Sequence, residues 1–529
     1  MLRILATGAF CLLWYCTTLV LCPALVVLVV FKAVLSALVP LVTNDKYRLM
    51  ASADAACCLS GVDASKNRPV ISVLRFSVSN HVGPVNRLDG TEITYKDEKD
   101  LLQIFNSHVN KPFPKKSSPW EICWVHKTKS GINNSNTTDS FSSFRSNDDL
   151  NRNACQEKEE ETAIWFRAHH CLGDGVSLCF ALLPNFVDDE PSSISRGKSA
   201  DVAPVIKHYT NNNNNNYKSN VDSESQQDFA KKFGDELPEF PPAGVIWIKT
   251  IFAWILGFFT APIVFLRWRT NPDKNPMHKN RLSGQKSVHF LPPIPIGTMK
   301  TVRNLFGGLT INDIVSTAAS RAIWRYITPD LRQITSDSAS QKYSLSDMTA
   351  VSLWTKFPDN FENKFALCRC NMPRLTKSSD VVGSLMARRR EIDVNVKIWN
   401  LGFPLYMAQV LLVNALPASV ANAILSPPKG VSVNTSNVRG PMKSLRVLGR
   451  VIKRIYAFPP QLGSSGLGVM TFGYSGKLFV SVVADSSNLR RKEDLVTIAN
   501  YLEEEIAHLE DVLGNLVAPV GPQVSIIRS

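Results

Sequence analysis

Two adjacent histidines end a strand-like run in WFRAHHCLGDGVSL, residues 165–178, and an aspartate follows four residues after the second histidine. Histidine is the side chain whose ordinary pKa leaves it neutral near pH 7 and able to take a proton from a hydroxyl group. We interpret His170 as a general base. Asp174 is expected to fold back and brace the loop that carries His170, by pairing with an arginine. His169 is expected to be a supporting residue that is hydrogen-bonded to the backbone.

Glycines flank this aspartate, and the turn has two other interpretations. Gly173 and Gly175 are expected to let the chain bend without the steric cost of a Cβ atom. The alternatives to catalysis are a purely structural turn and a metal site. A metal needs further ligands, and although Cys171 is adjacent to His170, no second ligand cluster stands near it in the sequence. We therefore predict no metal and favour general-base catalysis.

Hydrophobic periodicity indicates the elements that position these residues in the first half of the chain. Strands are predicted at residues 69–78, 121–128 and 162–170, the last of which enters the histidine pair. A helix with one apolar side is predicted over 176–187. The motif is therefore expected at a strand-to-helix junction.

The second half shows a mixed pattern of helices and strands. A helix is predicted to begin at Thr310 or Asn312, and a second helix covers residues 491–512. Strands are predicted within 343–357 and at 476–485. This half is therefore expected to form an α/β layer of its own.

The composition limits the class of protein. A chain of 529 residues suits two core domains, and 44% hydrophobic with 20% charged residues excludes a disordered protein. The net charge of +14 indicates an anionic partner. Lipid headgroups or a phosphate-bearing substrate rank ahead of nucleic acid, because the sequence has no basic run interleaved with aromatics. The 11 cysteines include no C-x-x-C pair and are interpreted as reduced thiols, with Cys368 and Cys370 on one face of a strand.

An almost wholly apolar run, residues 4–42, opens the chain. It is longer than the apolar core of a signal peptide, which has about 7–15 residues. It is also long enough for a bilayer-spanning helix, which needs about 20 residues. We predict a membrane anchor over residues 1–45, with a cleaved signal peptide as the alternative.

Motifs spread along the chain resemble those of the wax ester synthase/diacylglycerol acyltransferase (WS/DGAT) family, within the group of CoA-dependent acyltransferases that carry HHxxxDG. The resemblance runs from residue 50 to residue 515. It rests on MASADAACCL with Asp54, SPWEI at 118–122 (similar to the family's Pro-Leu-Trp-Glu without the leucine), HHCLGDG, TINDIV with Asn312 and Asp313, SNVRGP at 436–441 and FGYSGKLFVSVVAD.

The resemblance implies an α/β (α+β) fold of two lobes with a central tunnel, together with an N-terminal membrane helix or helices. His170 would lie at the middle of that tunnel. The predicted segments are a membrane anchor (1–45), a first lobe with the HHxxxDG motif (46–189), a disordered linker or insertion (190–240), a membrane-docking apolar segment (241–275) and a second lobe (276–520).

The resemblance also implies a reaction. Acyl-CoA would be the co-substrate, with no other cofactor, and the acceptor would be diacylglycerol or a long-chain alcohol. His170 would take the proton from the acceptor hydroxyl, the oxygen would attack the thioester carbonyl, and CoA would leave. No acyl-enzyme is needed.

Substrate-binding residues follow from the same resemblance. They are Gly175, Asn437, Gly440, Asn312 and Asp313. Asn437 would shape or polarise the tunnel near the oxyanion, and Gly440 would allow the backbone to approach closely. For Asn312 and Asp313 an ordinary N-cap pair is the alternative.

A second apolar stretch, residues 245–269, is long enough to cross a bilayer but contains Gly257 and Pro262. A single crossing would put the two lobes on opposite sides of the membrane, which is incompatible with one tunnel. The stretch is therefore expected to lie in the interface or to dip in and return, with Arg267 and Arg269 at the headgroups. A buried core helix is the alternative. We predict a membrane location, endoplasmic reticulum or plasma membrane, with membrane lipid as a partner and the active site facing the cytosol.

Two questions stay open at this point. The basic run ARRREI, residues 387–392, either meets the phosphates of CoA or forms a solvated helix face. The leading function is a membrane-associated O-acyltransferase that makes triacylglycerol, wax ester or both. The alternatives are a condensation-type acyltransferase acting on another acceptor and a catalytically silent membrane protein that binds lipid or acyl-CoA.

Overall fold

The computed structural model describes fourteen segments of the chain together with isolated positions. The segments are 82–84, 92–111, 120–128, 161–183, 187–188, 270–279, 281–297, 309–328, 343–354, 361–373, 380–398, 430–461, 464–491 and 493–515. The isolated positions are residues 299 and 358 and single residues within 12–42 and 248–259. The predictions for Asp54, for strand 69–78, for residues 190–240 and for most of both apolar segments lie outside the described residues.

The described residues fall into two compact units. The smaller contains Ile71–His169 together with Lys286–Val288, and the larger contains the remaining described residues, on both sides of that range. The boundary therefore separates the two histidines of the motif. The larger unit holds residues 170–183, which lie before the predicted lobe boundary at residue 189.

The smaller unit is a four-stranded sheet with one helix. Its strands are β1 (Val82–Pro84), β2 (Thr94–Tyr95), β3 (Trp120–Lys127) and β4 (Thr162–Ala168), and its helix is α1 (Glu98–His108). β1 and β2 run parallel to β3, and β4 pairs with β3 in antiparallel register. Tyr95 and Val125 form the small buried core. The two predicted strands of this unit that are described, at 121–128 and 162–170, are confirmed.

The larger unit contains most of a seven-stranded sheet in the order β5-β13-β12-β9-β7-β8, with β6 beside β13, and of β5 only His289 and Phe290 belong to this unit. The strands are β5 (Lys286–Phe290), β6 (Ile294–Pro295), β7 (Ser346–Ser352), β8 (Phe365–Asn371), β9 (Val433–Arg439), β12 (Leu467–Tyr474) and β13 (Lys477–Asp485). The short strands β10 (Arg446–Val447) and β11 (Arg450–Val451) form a separate hairpin. β9 runs parallel to β12 and to β7, and β12 and β13 form an antiparallel pair. The predicted strands within 343–357 and at 476–485 are confirmed.

Four α-helices lie in the described segments of the larger unit, and the last three of them pack into its main apolar core. They are α2 (Gly175–Ser177), α3 (Ile311–Ile327), α4 (Val381–Ile392) and α5 (Asp494–Asn515). Thr310 is the N-cap of α3, so the predicted helix start is confirmed. Helix α5 begins three residues later than predicted. Cys368 and Cys370 are buried free thiols on β8, as the spacing predicts, and burial raises the pKa of Cys368 to about 12.

Two arginines of α4 form ion pairs with aspartates inside the protein. Neither the prediction of a contact with CoA nor that of a solvated helix face anticipates this. Arg388 is fully buried, and its Nη2 lies 2.7 Å from Oδ2 of Asp347, which is equally buried. Arg389 pairs with Asp313 at 2.6 Å. Since two of the three arginines are neutralised inside the protein, only the exposed Arg390 fits a solvated face or a contact with CoA.

Among the described residues, no helix is both long and apolar enough to cross a membrane.

Candidate active site

The histidine motif lies at a strand-to-helix junction, as predicted, but the helix is irregular. β4 ends at Ala168, a 3-10 turn covers His170–Leu172, and α2 is only three residues long. A π-helical turn, Leu178–Leu182, follows directly. The helix predicted over 176–187 is therefore present as far as Leu182, in an irregular form, and residues 184–186 lie outside the described residues. Wider turns of this kind change the periodicity and are frequent at functional sites.

Asp174 is the most constrained residue of the motif. It is buried, 5% exposed, and its Oδ1 accepts a hydrogen bond from Ser177 N at 2.8 Å as the N-cap of α2. Its Oδ2 accepts from Lys364 N at 2.9 Å and from Trp354 Nε1 at 3.0 Å. The predicted brace is present, but its partners are an indole and backbone amides. No arginine pairs with Asp174 among the described residues, so that part of the prediction is corrected.

The two glycines of the turn are needed for space. Neither has a positive φ, so what a Cβ atom would cost at these positions is space rather than backbone strain. A Cβ atom on Gly173 would lie 2.5 Å from Ser177 Oγ. A Cβ atom on Gly175 would lie 3.0 Å from a methyl group of Val438 on β9. The motif therefore packs closely against the SNVRGP strand.

His170 is half-buried, and residues of the β7–β8 region hold it. Asn363 Nδ2 donates to the main-chain oxygen of His170 at 2.7 Å. The ring of Phe365 lies 5.2 Å from the imidazole, centre to centre. Nδ1 of His170 is shielded from water and has no partner of good hydrogen-bond geometry among the described residues. The Asn363 amide is nevertheless near enough to influence its titration.

Burial lowers the pKa of His170 below its ordinary value of 6.5. The negative charge of Asp174 and the Asn363 amide oppose this shift without cancelling it. A lowered pKa means that the imidazole is neutral at pH 7 and able to accept a proton. This is the state that a general base requires.

The first prediction is that the acid limb of kcat/KM lies below pH 6.5. Activity that needs neutral His170 is complete above the lowered pKa and is lost as the pH falls through it. Asp174→Asn removes the charge that raises this pKa, so its limb should move to still lower pH. Profiles measured between about pH 5 and 8 for both proteins test this. A limb above pH 6.5, or one that moves upward in Asp174→Asn, would contradict it.

The predicted residues of the SNVRGP motif lie on β9 and just beyond it. Val438 faces Gly175, and because successive side chains alternate along a strand, Asn437 points to the opposite face. Asn437 is exposed. Gly440 is buried, and its N donates to Gly473 O at 2.9 Å, where a Cβ atom would collide with that carbonyl and with Phe472. Close backbone approach at Gly440 is confirmed, whereas a role for Asn437 at an oxyanion stays a prediction.

Residues 361–510 match the protein family described as "WS/DGAT C-terminal domain". This stretch includes Asn363, Lys364, Phe365 and the SNVRGP motif. The chain carries the WS/DGAT C-terminal domain. The resemblance to the WS/DGAT family is thereby confirmed. It supports the prediction that the protein is an acyltransferase.

Solved structures with a similar fold include the wax ester synthase/diacylglycerol acyltransferase from Marinobacter aquaeolei VT8 (13% identity, 84% of this chain and 82% of that chain, TM-score 0.43). Another is the trichothecene 15-O-acetyltransferase TRI3 from Fusarium sporotrichioides (12% identity, 81% and 76% covered, TM-score 0.43). A third is the epimerization domain of tyrocidine synthetase B (10% identity, 66% and 69% covered, TM-score 0.36). No curated protein matches the sequence significantly.

The Asn-Asp pair of the WS/DGAT resemblance lies at the start of α3. Asp313 is fully buried and completes a capping box, accepting from Thr310 N at 2.7 Å while Thr310 Oγ1 accepts from Asp313 N at 3.2 Å. The same carboxylate pairs with Arg389. These contacts give Asp313 a capping and bracing role at the start of α3. Asn312 is half-buried, and its substrate role stays a prediction.

One group of side chains among the described residues has the types and spacing of a metal site. His108, Glu121 and Cys123 lie in the smaller unit, and their donor atoms are within 4.8 Å of one another. Arg167 Nε, however, lies 2.7 Å from Glu121 Oε1. Burial raises the pKa of the Cys123 thiol to about 11. A guanidinium cation and a protonated thiol do not favour a metal ion, so the group is better described as a hydrogen-bonded cluster.

Sequence reasoning missed the residues that hold the WS/DGAT motif from a distance. Trp354, Asn363, Lys364 and Phe365 stand more than 175 positions after the motif. These residue types do not indicate catalysis. The four residues are near one another in the sequence, but their spacing does not connect them to the motif. Covariation between these positions and the motif is the one sequence signal that would have indicated them.

Proposed function

We propose that the protein is a membrane-associated O-acyltransferase that transfers a fatty acyl group from acyl-CoA to the hydroxyl of diacylglycerol, of a long-chain alcohol, or of both. The observation that carries the proposal is that two features occur together in this protein. One is a histidine that burial keeps neutral, within HHxxxDG. The other is a WS/DGAT C-terminal domain whose residues hold that histidine.

The proposed reaction needs one base. Neutral His170 takes the proton of the acceptor hydroxyl as the oxygen attacks the thioester carbonyl. The carbon–sulfur bond then breaks, and the proton passes from His170 to the CoA thiolate. The products are an ester and CoA, so atoms and charges balance without an acyl-enzyme. Acyl-CoA is a co-substrate, and no other cofactor enters the proposal.

Asp174 has a positioning role in this proposal. It is tied to Trp354, to Lys364 N and to Ser177 N, so it fixes the turn that follows His170. Its charge also raises the pKa of the imidazole, against the effect of burial. A base whose pKa fell much further would bind the proton too weakly to help.

Described positions of the two apolar segments support a membrane location. They are helical and expose large apolar side chains, for example Val42 at 80% and Ile248 at 71%. The segments also touch, since Tyr15 Oη donates to Phe259 O at 2.8 Å. Acceptors of the proposed kind reside in the bilayer, so docking would deliver them without passage through water. We propose the endoplasmic reticulum or plasma membrane, with the active site facing the cytosol.

An assay of the full chain in membranes tests the proposal. Radiolabelled acyl-CoA is supplied with diacylglycerol, with hexadecanol, or with neither. We expect labelled triacylglycerol or wax ester and release of one CoA thiol for each ester formed. Acyl-CoA that binds without turnover would favour the silent lipid-binding alternative. Absence of product with both acceptors would contradict the proposal.

A further inference from the structure

The hairpin of β10 and β11 has an unusual residue at its tip. Val447 pairs with Arg450, which leaves a two-residue loop of Leu448 and Gly449. Both have positive φ, 52° and 74°, as in a type I′ turn. Asparagine, aspartate and glycine are the residues that favour this conformation, and a bulky leucine there is an outlier.

A second hairpin in the same unit shows that the turn does not need a leucine. The loop between β12 and β13, Ser475–Gly476, has φ values of 48° and 72°. There the first position is a small polar residue. Leu448, by contrast, is 82% exposed, and Val451 beside it is 45% exposed. A strained and solvent-exposed leucine is destabilising in water, so its presence points to a partner that covers it.

Basic residues flank the hairpin along the chain, and the acidic group at its tip is Asp188, which binds the two loop amides. Residues 440–458 contain five lysines and arginines and no acidic residue. All five are exposed: Lys443, Arg446, Arg450, Lys453 and Arg454. Cationic side chains around an apolar tip complement a surface that is anionic outside and apolar beneath, which describes an anionic phospholipid membrane. Nucleic acid would gain nothing from a leucine, since its bases stack on aromatic rings.

The hairpin is firmly joined to the segment that follows the catalytic motif. Asp188 accepts hydrogen bonds from Leu448 N at 2.9 Å and from Gly449 N at 2.6 Å. At the base of the hairpin, Leu445 and Ile452 belong to the same apolar cluster as Cys179 in the π-helical turn. A contact made by the tip is therefore passed to the motif through packed structure rather than through a free loop.

We propose that the hairpin Arg446–Val451 is a membrane-contact element, which inserts Leu448 into an anionic phospholipid surface while the surrounding lysines and arginines bind headgroups. This inference goes beyond the proposed reaction, because it does not depend on His170. It is also separate from the apolar segments predicted from the sequence.

Hydroxyl-radical footprinting with mass spectrometry tests the contact at the side chain itself. The full chain is placed in vesicles of phosphatidylcholine alone, or of phosphatidylcholine with about a third phosphatidylserine, enough for a strongly negative surface. We expect oxidation of Leu448 and Val451 to fall several-fold only with phosphatidylserine. Equal oxidation in both vesicles would overturn the proposal, as would protection by added RNA but not by vesicles. In His170→Ala, Leu448 and Val451 should still be protected by vesicles with phosphatidylserine. Failure of the catalytic proposal can therefore be distinguished from failure of the membrane-contact proposal.

Two variants separate charge from apolar insertion. In Lys443→Gln, half-protection of Leu448 and Val451 from oxidation should require about fivefold more phosphatidylserine, because one basic residue contributes about that factor to binding at such a surface. Arg490→Gln, which removes one charge from an exposed site elsewhere, should change nothing. Leu448→Asn should weaken protection of Val451 about tenfold, since an inserted leucine side chain is lost. Its thermal midpoint should not fall, because asparagine suits the turn better. Unchanged protection in Lys443→Gln and Leu448→Asn would overturn the proposal.

Discussion

Replacement of His170 by alanine is expected to lower acyl transfer by about 10²–10⁴-fold, the usual contribution of a general base. The imidazole is half-buried and burial lowers its pKa, so it is neutral and available at pH 7. The Asn363 amide and the Phe365 ring, which contact His170, cannot accept a proton from a hydroxyl near neutral pH.

The measurement is initial-rate transfer from labelled acyl-CoA, with protein quantified after purification. His126→Ala is the matched control, because His126 is an exposed imidazole bonded to Thr162 Oγ1 at 3.0 Å in the smaller unit. It should transfer at the wild-type rate. A His170→Ala protein that retained wild-type turnover would remove the proposed mechanism, whereas equal losses in the two variants would indicate a general effect of histidine removal.

Features fixed by nearby residues could be predicted from the sequence. The start of α3 depends on Thr310 and Asp313, three positions apart, and the structure contains that capping box. The strand that carries Cys368 and Cys370 follows from alternation, with both thiols on the buried face. These signals lie within one element, where spacing determines geometry.

Features fixed by distant residues could not be predicted. Asp174 was expected to pair with an arginine, but its partners Trp354 and Lys364 come from 180 and 190 positions further along. The same limit explains the arginine run, which has the pattern of a solvated helix face. Arg388 is instead buried against Asp347, 41 positions earlier. The sequence near Asp174 and the sequence near Arg388 do not indicate which distant side chain will become the partner of each.

The irregular helix after the motif shows a different limit. Periodicity over 176–187 is compatible with a regular helix, but Ser177 and Cys179 are the buried residues. A π-helical turn moves side chains away from the 3.6-residue repeat, so hydrophobic spacing no longer reports which side is covered. The motif could therefore be located from the sequence, while the geometry of its surroundings could not.

Asp174→Ala is expected to lower the free energy of unfolding by about 3–5 kcal/mol, as when one partner of a buried charged network is removed. Asp174 is only 5% exposed. Without its side chain, three donors would lose their acceptor: Ser177 N, Lys364 N and Trp354 Nε1. Each unsatisfied buried donor costs about 1–3 kcal/mol, and the costs overlap because the three share one carboxylate. Since native proteins are stable by about 5–15 kcal/mol, a loss of this size reduces the yield of folded protein.

Chemical denaturation and the yield of folded protein measure this effect, and Asp380→Ala is the matched control. Asp380 is also a helix N-cap, accepting from Gly383 N at 2.8 Å, but it is exposed, so water can replace its side chain. Its loss should be clearly smaller. Folded Asp174→Ala should retain part of its turnover per molecule, because Asp174 positions the turn without taking the proton. Equal losses of stability in the two variants would mean that the buried network is not what holds His170 in place.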